Sequence, residues 1–327
     1  MAEAAKVLCM GNAIVDIIAR VDDAFLAKHD REKGAMNLVD AETSASIYSD
    51  MPPAVERSGG SAGNTAAGIA SFGGSAGYIG KVHDDQLGTV FRHDIQAVGV
   101  QFNTAPATTG APTATSMILV TPDAQRTMNT FLGACTEISE YDVVEAEVAA
   151  ADILYVEGYL WDTAPMKAAV LRAMDLAHKH GTKVSLTLSD SFCVDRFREE
   201  FRDLVDSKVD ILFANEAEIL SLYEVETFEE ALAELKTHVK IAALTRSEKG
   251  SVLLSADEEV TVAAFPTTVE DTTGAGDLYA AGVLFGLSEG KDLETCGKFG
   301  SLAAAEVISH LGARAEVSLK DLAAEKL

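Results

Sequence analysis

Basic residues are scarce in this 327-residue chain: 26 Lys and Arg stand against 51 Asp and Glu, a formal charge of −25. Such a field repels phosphate backbones and anionic lipid, which sets aside nucleic-acid and membrane partners. Cysteines are few as well. Cys9, Cys135, Cys193 and Cys296 lie far apart, with no CxxC pair and no His at zinc spacing. Neither a disulfide framework nor a structural metal is expected, and a reducing cytoplasm fits. No stretch reaches the roughly 18 apolar residues of a membrane span. The opening Met-Ala-Glu-Ala-Ala-Lys has no basic segment, and Asp16 interrupts the apolar run from Val7 to Ala19, so the run reads as a first strand and not as a signal peptide. Two nucleotide fingerprints are missing. Gly80-Lys81 has Ser75 where a Walker A motif needs glycine, and Tyr279 takes the third glycine position of a dinucleotide fold. The seven His residues form no site; His178 and His180 are two apart on a helix and face differently.

What is present is ordinary globular composition, 48% hydrophobic and 24% charged, enough for one large domain or one with an added subdomain. From about residue 75 short apolar runs alternate with amphipathic segments. Ala76 to Val82, Ile153 to Val156, Val184 to Leu188, Val209 to Ala214 and Ile241 to Thr245 read as strands. Helices fall between them, one running from Thr163 as N-cap to Gly181. The pattern predicts an α/β fold with a doubly wound, mainly parallel sheet flanked by helices. Two Ala- and Gly-rich helices, Ala275 to Glu289 and Leu293 to His310, should pack closely. Residues 12–40 and 102–131 break the rhythm with strand-like patches at Ile14 to Val21, Ala35 to Val39 and Thr115 to Val120, and a turn at Thr121-Pro122-Asp123-Ala124. Without a useful helix between them, they predict a small second sheet, an excursion from one core domain.

The most informative segment is Val269-Glu270-Asp271-Thr272-Thr273-Gly274-Ala275-Gly276-Asp277, which runs straight into an apolar helix. Three small residues at a loop-to-helix junction let unpaired N–H groups converge on an anion. A carboxylate immediately after such a cradle suits the removal of a proton from a nucleophile. The plainer alternative is a glycine-rich helix start with Asp277 as a dipole partner. A second cluster, Ser58-Gly59-Gly60-Ser61-Ala62-Gly63-Asn64, combines close backbone approach with an Asn that can donate to and accept from a hydroxyl. It reads equally as a turn with Asn64 capping the following helix. Gly59 to Gly63 also spells G-x-S-x-G, so a serine hydrolase using Ser61 is a remote alternative; that elbow needs a buried strand before it, which Met51 to Arg57 is not.

These segments resemble the DTxGAGD and GGxxxN signatures of the ribokinase-like, or PfkB-type, carbohydrate and nucleoside kinases, and the resemblance spans nearly the whole chain. It implies that the Gly274, Ala275, Gly276 turn stabilises the transferring phosphoryl group and that Asp277 deprotonates the acceptor hydroxyl. It also implies that Gly60, Ser61 and Asn64 meet a sugar, and that the small sheet is a lid over the acceptor. Gly11-Asn12-Ala13-Ile14-Val15-Asp16 resembles the GNxxxD form of adenosine kinases, giving Asn12 and Asp16 to the ribose hydroxyls. Arg126 matches a lid arginine that helps bind phosphate, although a lone Arg is usually a solvated surface residue. Asn215-Glu216-Ala217-Glu218 resembles NxxE, with Asn215 at the phosphates and Glu218 ordering Mg²⁺ through water, and it also makes a good helix start. Thr245, Ser247 and Gly250 match a nucleotide-contact loop in which Ser247 replaces the more common Gly. Asp271 and Thr273 match a possible K⁺ site.

The resulting expectation is an ATP- and Mg²⁺-dependent kinase, monomer or homodimer, that phosphorylates a nucleoside 5′-hydroxyl, with adenosine to AMP and purine salvage the leading reading. A free ribose- or fructose-like sugar is the alternative acceptor. A nucleoside-binding protein without catalysis is disfavoured by the intact Asp277.

Overall fold

The computed structural model describes residues 4–123, 125–236 and 238–327. Its strands are, in chain order, β1 (Val7–Met10), β2 (Ile14–Arg20), β3 (Met36–Leu38), β4 (Val55–Ser58), β5 (Ala76–Ile79), β6 (Gln101–Phe102) and β7 (Ala114–Val120), then β8 (Arg126–Phe131), β9 (Ile153–Glu157), β10 (Lys183–Thr187), β11 (Ile211–Asn215), β12 (Ile241–Thr245), β13 (Ser251–Ser255) and β14 (Glu259–Val262). Nine form one sheet in the order β14-β13-β12-β11-β10-β9-β1-β5-β6, and five form a smaller one in the order β3-β8-β7-β2-β4.

From β12 to β6 the large sheet is parallel. Its strands are buried on both sides, as Ile153-Leu154-Tyr155-Val156-Glu157 shows, because helices cover both faces. Alternation along β1 sends Val7 and Cys9 into one core and Leu8 and Met10 into the other. The helix Ala164–His180 starts at Thr163 and ends at Gly181, which adopts the left-handed conformation (φ 78°), as the sequence predicts. The helices Ala275–Ser288 and Leu293–Val307 pack on β1 and on β13 and β14, and a Cβ at Gly286 would stand 2.7 Å from Cys296 Sγ.

The parallel pattern fails at one edge, where β13 and β14 pair antiparallel. Five residues link β12 to β13, too few for the crossover that a parallel neighbour requires. In the small sheet β2 is half-buried in strict alternation, and β2 pairs with β7 along its whole length. The sequence passes over β4. It is an edge strand paired antiparallel to Ile18, Ile17, Asp16 and Val15, and its exposed Val55 and half-exposed Glu56 hide it from a search for apolar runs. Thr121 N–H donates to Gln125 O across the predicted turn between β7 and β8; Ala124 of that turn lies outside the described residues. No helix of the described residues is long and apolar enough to cross a membrane.

Candidate active site

The polar segments meet at the carboxyl ends of the parallel strands, where open α/β sheets place their ligand crevice. β1 ends at Met10 and leads through Gly11, Asn12 and Ala13 into β2, so three residues join the two sheets. β9 ends at Glu157, β11 at Asn215 and β12 at Thr245.

Asp277 lies in the first turn of the helix Ala275–Ser288. Ser61 Oγ donates to its Oδ1 at 2.6 Å, and Asn64 Nδ2 donates to Oδ2 at 3.0 Å. Thr65 Oγ1 donates to the Asp277 carbonyl at 3.1 Å and so ties the two helix starts together. Burial raises the Asp277 carboxyl above the ordinary Asp range, while Ser61, Asn64 and Arg314 pull it back. Asn64 is not the cap of its own helix; Gly60 is, in the left-handed region (φ 83°), and a Cβ there would strike Asn12 O.

The glycine-rich loop turns at Gly274 (φ 77°), where a Cβ would lie 2.8 Å from Ala313 Cα. Beyond it the first-turn N–H groups of Gly276 and Asp277 have no intrahelical acceptor. Gly276 is exposed, and a Cβ there would meet nothing among the described residues, so an anion has access to those donors. Asp271, buried, accepts from Thr273 N–H at 2.8 Å and Gly312 N–H at 2.9 Å and pairs with the Arg126 guanidinium; Arg126 also donates to Thr273 Oγ1 at 2.6 Å. Arg126, on β8, therefore reaches the front of the glycine-rich loop, and a cation already meets the carboxylate proposed for K⁺.

Asp16, on β2, packs against Gly59, and burial pushes its carboxyl up to about 7 with Asp277 adding to the rise. Cross-strand partners share a face of the sheet, so Asp16, Ser116, Thr130 and Leu38 form one row. Two strand spacings, roughly 10 Å, from Asp16 stands Thr130, and one strand further Leu38; both help line an apolar recess of about 260 Å³ with Val39, Phe131, Leu132 and Thr136. Asn12 is buried, and its Oδ1 has no hydrogen-bond partner among the described residues, an acceptor that a hydroxyl would satisfy.

Asn215 and Thr245 are neighbours in register. Asn215 caps the helix Glu216–Tyr223 in a capping box: its side chain accepts from Glu218 N–H, and Glu218 accepts from Asn215 N–H at 3.0 Å and Nδ2 at 2.5 Å. Burial nevertheless lifts Glu218 to about 7, which a divalent cation outside it would reverse. Among the described residues no cluster of three or more His, Cys, Asp or Glu could hold a metal. Ser247 adopts φ 52° and Gly250 φ 87° in the tight turn between β12 and β13. Ser247 thus takes the left-handed backbone that glycine adopts freely.

Three residues outside every motif complete the site. Glu157, buried, accepts from Asn12 N–H and Ala62 N–H, both at 2.8 Å, holding the two candidate sugar-binding segments on one carboxylate. Asp94 accepts from Ser58 N–H and Oγ at 2.7 and 2.5 Å. Arg314 Nε donates to Asn64 Oδ1 at 3.2 Å. The only signals in the sequence are a charge ending an apolar strand, at Glu157, and an Arg within a Gly- and Ala-rich stretch, at Arg314. Ser61 Oγ turns to a carboxylate and not an imidazole, and the strand before it is an exposed edge, so the nucleophile-elbow reading finds no support in the geometry.

The family model described as pfkB family carbohydrate kinase matches residues 4–320. The chain is 32% identical over 261 residues, 77% of its length and 79% of the relative's, to a 5-dehydro-2-deoxygluconokinase of Bacillus velezensis. Among solved structures it superposes on an adenosine kinase from Sinorhizobium meliloti with TM-score 0.91 at 54% identity over all of both chains. A probable sugar kinase protein from Rhizobium etli gives TM-score 0.91 at 53% identity over 99% of each chain.

Proposed function

This chain belongs to the pfkB family of carbohydrate kinases and is a phosphotransferase; on that basis we propose that it transfers the γ-phosphoryl group of ATP to the 5′-hydroxyl of a nucleoside, adenosine giving AMP. The observation that carries the reading is the row from Asp16 to the apolar recess beside Leu38 and Thr130. A free sugar needs a carboxylate for its hydroxyls and has no use for an apolar recess two strands away. A nucleoside uses both, with its ribose diol on Asp16 and Asn12 and its base over the recess. The adenosine kinase similar along its whole length supports the same reading.

In this arrangement Asp277 takes the proton of the acceptor hydroxyl. The N–H groups at Gly276 and Asp277 and the Arg126 guanidinium face the phosphoryl group as its charge redistributes. Asn215, Thr245 and the turn through Ser247 and Gly250 receive the nucleotide, and Glu218 would hold Mg²⁺ through water, where the ion would supply neutralisation of the phosphate charge. K⁺ would take the place beside Asp271 and Thr273 when Arg126 swings onto the phosphate. The five-stranded sheet acts as the lid. All four Cys are free and buried, as suits a cytoplasmic enzyme.

The names of the gluconokinase relative and the probable sugar kinase favour a second reading, a free sugar acceptor at the same site. Incubation with Mg·ATP and a panel of nucleosides and sugars separates the two: ADP release with nucleosides supports the first, and release with sugars alone overturns it.

A further inference from the structure

Asn64 is caught between two groups that leave its amide one orientation. A carboxylate can only accept and Arg Nε–H can only donate, so an amide that spans them turns its NH2 to Asp277 Oδ2 and its oxygen to Arg314 Nε. Arg314 is itself half-buried, its side chain 13% exposed, and a Cβ on Gly63 would stand 3.9 Å from both its Nη2 and the Tyr78 ring. Its Nη1 lies 3.9 Å from Asp94 Oδ2, the oxygen that holds Ser58. One guanidinium therefore meets both ends of the segment Ser58 to Asn64. Nη1 and Nη2 are buried without a hydrogen-bond partner among the described residues. A desolvated cation held this loosely is a poor source of stability, and an apolar side chain would fill the space at lower cost. Its charge has work elsewhere.

We propose that Arg314 is a positioning residue for phosphoryl transfer: it locks the Asn64 amide so that its NH2 always donates to Asp277, and its charge offsets the crowding of Asp16, Asp94 and Asp277. The inference rests on reading Asp277 as the base but not on which acceptor is used. Asp277 is faced by Ser61 and Asn64 from the helix Ser61–Ser71, by Asp16 from β2, by Arg314, and by Tyr155, Glu157 and Tyr159 at the end of β9. Of these only Arg314 carries a positive charge. Without it the carboxylate is harder to ionise, and the acid limb of the rate profile moves to higher pH.

The test compares Arg314→Met, Arg314→Lys, Asn64→Ala and the Arg314→Met/Asn64→Ala pair, on whichever acceptor the parent turns over, with kcat, both KM values, kcat against pH, and a thermal melt to show folding. Arg314→Met should lower kcat ten- to a hundredfold at neutral pH, leave the ATP KM within twofold, and raise the acid limb by about one pH unit. Arg314→Lys should return the limb to the parent's pH while kcat stays at least fivefold low, because an ammonium lacks the fixed Nε–H direction. In the Asn64→Ala background the Arg314→Met loss should shrink to the part due to charge. If the two losses simply add, or if the Arg314 variants keep the parent kcat and pH profile while Asp277→Asn is inactive, the proposal is overturned alone. If Asp277→Asn turns over at the parent rate, the base assignment falls and takes this role with it. Should Arg314→Met fail to fold, the Lys variant decides: an unchanged kcat overturns the proposal, and a lowered kcat at an unchanged limb supports it.

Discussion

Ser61 Oγ donates to Asp277 Oδ1 at 2.6 Å, occupying one of the two carboxylate oxygens that an acceptor hydroxyl could use if Asp277 is to take its proton. The serine therefore stands in for that hydroxyl, and the substrate either displaces it or shares the oxygen's second lone pair. Either way the carboxylate is already oriented before substrate arrives, which is where a general base gains its rate.

Asp277→Asn should lower kcat by roughly 10²- to 10⁴-fold with nucleotide binding largely intact, since the amide keeps the shape but cannot accept the proton. Steady-state rates with a nucleotide-binding titration check it. A mutant at the parent rate would leave Asp277 as a helix-start charge.

Asp16→Ala should raise the nucleoside KM by about tenfold or more, the scale of one charge-assisted hydrogen bond, and barely touch the ATP KM. The parent should disfavour a 2′-deoxynucleoside, whereas Asp16→Ala should handle it almost as well as the ribonucleoside. Additive losses would remove the contact and shift weight to a free sugar.

Activity should be higher in K⁺ than in a large organic cation at equal ionic strength, with Mg²⁺ needed throughout. Asp271 can serve Arg126 or K⁺, so K⁺ should free the guanidinium for phosphate and lower the ATP KM. Equal rates in both salts would count against that exchange.

Stability should fall as pH rises from about 4 to about 7. Burial lifts Asp16, Glu157 and Glu218 to about 7 in the folded chain, from 3.8 for the Asp and 4.5 for the Glu residues, so over that range the folded state holds protons that the unfolded state has lost. Thermal melts of the ligand-free protein at pH 5 and pH 8 check the sign. A higher Tm at pH 8 would show that these carboxyls are ionised at lower pH than their burial implies.

Much of this was legible before the structure. The strands from Ile153 to Thr245 lie within two residues of their predicted limits, because parallel strands covered on both faces are nearly continuous apolar runs. β13 and β14 escaped because a short hairpin at an edge carries no helix to mark it, and β4 because an exposed strand alternates weakly. Asp277 and Asn64 stand out as parts of spaced motifs, whereas Glu157 and Arg314 act from isolated positions that only folding brings to the site.

Glu157 has a consequence for how this enzyme selects its acceptor. Asp16 rides on the small sheet and Asp277 on a helix of the large one, so if the small sheet closes as the proposed lid, the gap between them opens and shuts like a caliper with Gly11 to Ala13 as its pivot. Glu157 clamps that pivot to the start of the helix that carries Ser61 and Asn64, one backbone donor on each oxygen. Gln at 157 has only one accepting oxygen and turns its NH2 toward a second donor, so the clamp would loosen at a cost of about 1–3 kcal/mol. Acceptors would then be told apart less by which hydroxyls they carry than by how far apart those hydroxyls lie.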